Sequence, residues 1–212
     1  MVVAGSPGVA RIGALALCVS WLAPVLVTLT SQLLLSQSAD VDSAVQADHA
    51  DELRAYWLTL WIGAVVWSMA IVPVLLLTTW RPPARPEAAL MLRVLVVVRA
   101  LAAWASLGVL YNNDLQIWQA ATALALPEIF FVMALLRYLA DLFAEDNASL
   151  ARSTRQFAWL YVAYRVVLLG IWAFPADLVP FLTLAHRSTA PIMEAVVAFL
   201  LLKAAGRFAT KG

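Results

Sequence analysis

Five side chains in this chain could act together chemically: Arg99, Glu128, Arg165, Glu194 and Tyr161. Two guanidinium groups and two carboxylates can pair with one another, hold an anionic ligand or pass a proton, and a phenol among them can donate or accept a hydrogen bond. Their setting makes them conspicuous. Glu128 follows Pro127 inside a long apolar run, and Arg99 and Arg165 are embedded in stretches of Ala, Leu and Val. A lone charge at the centre of a bilayer costs on the order of 2.5–3.5 kcal/mol, so three such groups facing lipid would oppose insertion, whereas pairing inside a helix bundle removes the difficulty.

The elements that must position these groups follow from composition and hydropathy. Of 212 residues, 64% are hydrophobic and only 13% charged, and most apolar runs approach the roughly 20 residues that a spanning helix needs. The expected fold is all-α, a polytopic membrane protein built as one integral domain, a bundle of six transmembrane helices over 12–36, 56–79, 90–111, 115–143, 157–174 and 191–208. The first run is longer than the core of a signal peptide and carries Pro24 in its middle, so it is expected to remain as a helix. Pro24, Pro73 and Pro127 should each kink their helix by removing a backbone donor. Trp57, Trp61 and Trp80 are expected as aromatic anchors at the two interfaces of the second helix.

Between the helices, Arg81 to Pro86 reads as a stiff basic loop and Asn112, Asn113 and Asp114 as a tight turn. Glu145 to Gln156 reads as a polar, partly helical connector. Ala176 to Ala190 is too short to cross and is expected to be interfacial or re-entrant, with Ser188 or Thr189 capping the last helix and Pro191 in its first turn. With the amino terminus cytoplasmic, that side gathers Arg11, Arg81, Arg85, Arg93, Arg137, Arg152, Arg155, Lys203, Arg207 and Lys211 against Arg54 and Arg187 outside. Both termini are therefore expected inside, in a bacterial inner membrane, with the acidic 37–54 loop outward.

Depth ties the charges together. At about 1.5 Å per residue, Arg99 counted from Leu90, Arg165 from Phe157 and Glu128 from Arg137 all lie roughly 12–14 Å into a core about 30 Å thick. Tyr161 sits one turn below Arg165. Ala102, Ala103 and Ser106 share the side of Arg99, and Ala121 and Ala125 lie above Glu128, small residues that admit close helix approach. Glu194, three residues into the last expected helix, should lie nearer the outer surface and join as a fourth charged member.

Other chemistry is poorly supported. His49 and His186 are the only imidazoles, and with Asp48, Asp51 and Asp177 they show no metal-ligand spacing, so neither a metal nor a cofactor is expected. Cys18, the one cysteine, reads as a buried thiol. Asn147-Ala148-Ser149 fits the glycosylation pattern but falls on the cytoplasmic side. A net charge of +1 points to no nucleic acid; the expected partners are the lipid bilayer and other membrane proteins or further copies of this chain. The expected role is a non-enzymatic accessory or structural subunit, or a small sensor. The alternatives are a small transporter or channel for an anionic or lipid-like solute and, third, an intramembrane lipid-modifying enzyme using Glu194 with His186.

Overall fold

The computed structural model describes residues 6–37, 61–62, 64–80, 85–111, 117–169 and 179–210; of 23–37, 106, 108–111, 117–124, 168–169 and 179–188 it describes the backbone only. Among the described residues the chain is all-helical, with no strand. The helices are α1 (Pro7–Gln37), α2 (Ile71–Leu77, preceded by helical residues 64–69), α3 (Glu87–Tyr111), α4 (Ile117–Phe143), α5 (Ala148–Leu169) and α6 (Val179–Thr210). They close into a ring in which each helix packs on the next, α1 returns onto α6, and α4 reaches across to α6.

One described segment, Glu87–Ala105 in α3, is long and apolar enough to cross a bilayer; Pro7–Leu22 and Ala64–Leu77 are apolar but shorter described stretches. The second half of α4 is largely enclosed, with Phe131, Val132, Leu135, Leu136, Tyr138, Leu139 and Leu142 fully buried and Arg137 its exposed charge. Its broad apolar face forms the middle of the core, and Arg137 and Asp141, one turn apart, mark its polar edge. The outward faces also carry large apolar side chains, among them Val19, Met69, Leu90, Phe130, Trp159 and Ile192.

Two helices start earlier than the hydropathy suggests. Asn147 caps α5, its side-chain oxygen accepting the N–H of Leu150 at 2.9 Å, so the helix begins at Ala148 rather than near Phe157. The polar residues of the expected connector are its first turns: Arg152, Ser153, Arg155 and Gln156 face out while Ala151, Thr154 and Ala158 are buried. Likewise α6 begins by Val179 and runs through Pro191 to Thr210. Residues 179–190 are thus the first turns of α6, and Ser188 and Thr189 lie inside the helix rather than capping it. A proline kinks a helix without ending it when neighbouring helices support the freed carbonyl.

Close packing joins the first elements. A Cβ added at Gly13 would stand 2.2 Å from the Leu77 amide nitrogen and 2.7 Å from the Pro73 carbonyl oxygen, so α1 touches the backbone of α2 there. Within α2, Pro73 has no N–H to return to the preceding turn, and the chain is a turn rather than helix at Ala70. The carbonyls at the end of α2 are met by other helices: Tyr138 donates its hydroxyl to Leu77 and Trp80 at 3.0 and 2.6 Å, and Arg93 donates to the Thr78 carbonyl at 2.9 Å and its hydroxyl at 2.7 Å. At the same end of the bundle Trp80 packs on Phe208, and Arg207 pairs with Glu145 and Asp146. The turn expected at 112–114, Trp57 and the acidic loop lie outside the described residues.

Candidate functional site

Four charges and one phenol from four helices meet in the middle of the bundle. Arg99 of α3 pairs with Glu128 of α4 at 3.0 Å. Arg165 of α5 pairs with the other oxygen of Glu128 and lies 3.5 Å from Glu194 of α6. The Tyr161 hydroxyl stands between the carboxylates, 3.2 Å from Glu128 and 3.4 Å from Glu194, and accepts from Arg165 Nε at 3.1 Å. All five residues singled out from the sequence are therefore in one network.

Each position has a local cause. Arg165 and Tyr161 are one turn apart on α5, so they share a face and the guanidinium reaches the phenol of its own helix. Glu128 sits immediately after Pro127, on the inward side of α4 above the buried Phe131 and Leu135. Glu194 is placed differently from the sequence expectation. Because α6 starts at Val179, Glu194 lies midway along this 32-residue helix, level with the other charges rather than near the outer end.

The network is larger than the sequence suggested. Trp21 of α1 donates its indole N–H to the Glu194 oxygen that Arg165 and Tyr161 leave free. The guanidinium of Arg99 stacks on the indole of Trp67, its central carbon 3.1 Å from the ring centroid. Trp21, Trp67 and Phe131 in turn pack on one another, with ring centroids 5.1–6.2 Å apart. Tryptophan is ordinarily placed at headgroup level, which hid these two rings. A signal was nonetheless available: Trp21 is as far from Ile12 as Arg99 is from Leu90.

The arrangement satisfies its carboxylates. Both oxygens of Glu128 and both of Glu194 have donors from other helices, and two arginines balance two glutamates. Arg99, only 7% exposed, keeps its Nε without a hydrogen-bond partner. The neighbouring contacts extend the links between helices. Thr189 of α6 bonds the Tyr164 hydroxyl of α5 at 3.2 Å, and the Cys18 thiol of α1 donates to the Ala198 carbonyl of α6 at 3.6 Å. Cys18 is buried, and Ala103 packs with Ala64 and Leu107 between α2 and α3. The side chains of Ser106 and Ala121 are outside the described residues.

Among the described residues no three of His, Cys, Asp and Glu come together as metal ligands would. His49, Asp48, Asp51 and Asp177 lie outside the described residues, as does the side chain of His186. No family model matches the chain, and neither a curated protein nor a solved structure shows significant similarity to it.

Proposed function

We propose that the chain is an integral membrane protein of six spanning helices without enzymatic chemistry, an accessory or structural subunit or a small sensor whose helices are locked together by the Arg99, Glu128, Arg165 and Glu194 network. The observation that carries this reading is the closure of the network: every carboxylate oxygen is held by a donor from another helix. Such a site offers an incoming substrate no free carboxylate. It joins α1, α3, α4, α5 and α6 instead.

Three features support the membrane setting. Large apolar side chains are exposed on every described helix, and exposed apolar surface of this kind marks contact with a membrane or a partner. At about 1.5 Å per residue, α4 and α6 measure roughly 40 and 48 Å, enough to cross a core of about 30 Å. Charged residues within the apolar zone turn inward and pair, as intramembrane charges do. The bundle end that gathers Arg85, Arg93, Arg137, Arg155 and Arg207 also holds the start of α1, so a cytoplasmic location of that end in a bacterial inner membrane follows the positive-inside rule.

Purification in mild detergent followed by native mass analysis tests the role. A larger complex of this chain with other membrane proteins, or a defined oligomer of it, supports the subunit reading. A second reading, a transporter or channel for an anionic solute, draws on the free Nε of Arg99 and on the prolines within the helices. It requires flux into reconstituted vesicles that Arg99→Ala abolishes while the protein stays folded, and absence of flux with a co-purifying partner sets it aside.

A further inference from the structure

At the basic end of the bundle, α4 and α5 form an outward seam of two parallel rungs. Arg155 of α5 pairs with Asp141 of α4 at 3.0 Å. One turn further, Trp159 of α5 lies under Arg137 of α4, whose guanidinium carbon is 5.7 Å from the indole ring. Each step of one turn up α5 is thus matched by one turn down α4. The same register puts the small, exposed Ala163 opposite Met133 as the next rung, and Phe130 and Val166, both exposed, beyond it.

The charges on this seam do not cancel. Asp141 is 6% exposed and is approached by two arginines, Arg155 at 3.0 Å and Arg85 at 4.0 Å, which remain 55% and 60% exposed. Arg137 adds a third guanidinium, exposed and held over an aromatic face. Three arginines against one aspartate leave a surplus of positive charge with donors pointing outward. Next to it along the two helices, Trp159, Ala163, Val166 and Phe130 are exposed and apolar, and Ala163 is the smallest of them. Charge at one end and an exposed apolar strip at the other match an amphiphile bearing an anionic head.

We propose that the α4–α5 seam is a binding site for an anionic phospholipid, its phosphate between Arg137 and Arg155 and one acyl chain lying over Ala163 between Trp159 and Phe130. Guanidinium groups bind phosphate through paired N–H donors, and the indole of Trp159 holds Arg137 in place for it. The site rests on the membrane reading above. Arg207 at the other side of this end is occupied by Glu145 and Asp146, so its charge is already balanced, and Lys203 lies over Phe199 on α6.

The test is native mass spectrometry of the full chain exchanged into micelles containing equal phosphatidylglycerol and phosphatidylcholine, preceded by carbonate extraction of membranes from the expressing cells. Retention of phosphatidylglycerol at least five-fold over phosphatidylcholine is expected. Arg137→Gln and Trp159→Leu should each lower that preference several-fold, with thermal unfolding in detergent unchanged, while Lys203→Gln should leave it intact. Arg155→Gln is avoided because it also strips Asp141 of its nearer partner. Equal retention of the two lipids overturns the site, as does an equal loss in Lys203→Gln, which would mean unspecific attraction to basic residues. Release of the chain by carbonate overturns the membrane reading and the site together; retention without lipid preference overturns the site alone.

Discussion

The guanidinium carbon of Arg99 stands over the indole of Trp67, 3.1 Å from the ring centre, while a terminal nitrogen reaches Glu128 on another helix. The indole thus covers one face of a buried cation that has a single carboxylate partner. A desolvated cation–π contact contributes about 2 kcal/mol. Trp67→Leu should lower stability in detergent by about that amount and Trp67→Phe by less. Denaturant unfolding followed by far-ultraviolet circular dichroism measures both, and equal losses in the two variants would show that only ring volume matters.

Glu128 is the one carboxylate that pairs with both arginines of the network, Arg99 and Arg165. Replacing it with Gln leaves Arg99 and Arg165 facing a neutral group, and breaking a buried pair from one side costs about 3–5 kcal/mol. Because Glu128 and Arg165 are in direct contact, Glu128→Gln combined with Arg165→Gln should cost less than the sum of the two single changes. A double-mutant cycle reads this coupling, and strict additivity would mean the pair contributes nothing to the bundle.

Gly13 and Gly206 make a controlled contrast. An added methyl at Gly13 runs into the Leu77 backbone at 2.2 Å, whereas at Gly206 it meets nothing within 4 Å. Gly13→Ala should therefore push α1 off α2 and destabilise the protein by about 1–3 kcal/mol, the usual range for overpacking. Gly206→Ala should be neutral or stabilise by up to about 1 kcal/mol through helix propensity. Parallel melting curves in one detergent compare them directly.

The buried Cys18 thiol reports on contact between the first and last helices, since it bonds the Ala198 carbonyl. Maleimide labelling of the folded protein should be slow and should become fast on denaturation. Trp21→Phe, which removes the indole donor from Glu194, should raise the labelling rate under native conditions and cost about 1–3 kcal/mol for the carboxylate oxygen it strands.

Residue spacing alone locates much of this site, because depth along a helix is a linear count and buried charges must find partners. Arg99, Glu128 and Arg165 could be placed at one level without coordinates, and Tyr161 followed from its one-turn spacing to Arg165. The sequence alone places Glu194 too far out because Pro191 resembles a helix start, whereas the helix is already under way from Val179. Trp21 and Trp67 escaped notice for a different reason: tryptophan's preference for interfaces says nothing of an indole recruited as a donor to one acid or a platform for one cation. The early start of α5 was hidden because polar residues on an amphipathic first turn resemble a loop when only mean hydropathy is read. The six-span reading itself remains the proposal made above, supported by the outward apolar faces.

In the order of synthesis α6, which carries Glu194, comes after α3, α4 and α5. Until it arrives, α3, α4 and α5 bring together two arginines and a single glutamate, and Trp21 on the first helix has no acid to bond. The order of synthesis therefore makes α1 wait for α6, and balances the charge of this network only once α6 has been made. A chain halted before α6 would hold two arginines against one glutamate in its middle, and so an unneutralised positive charge.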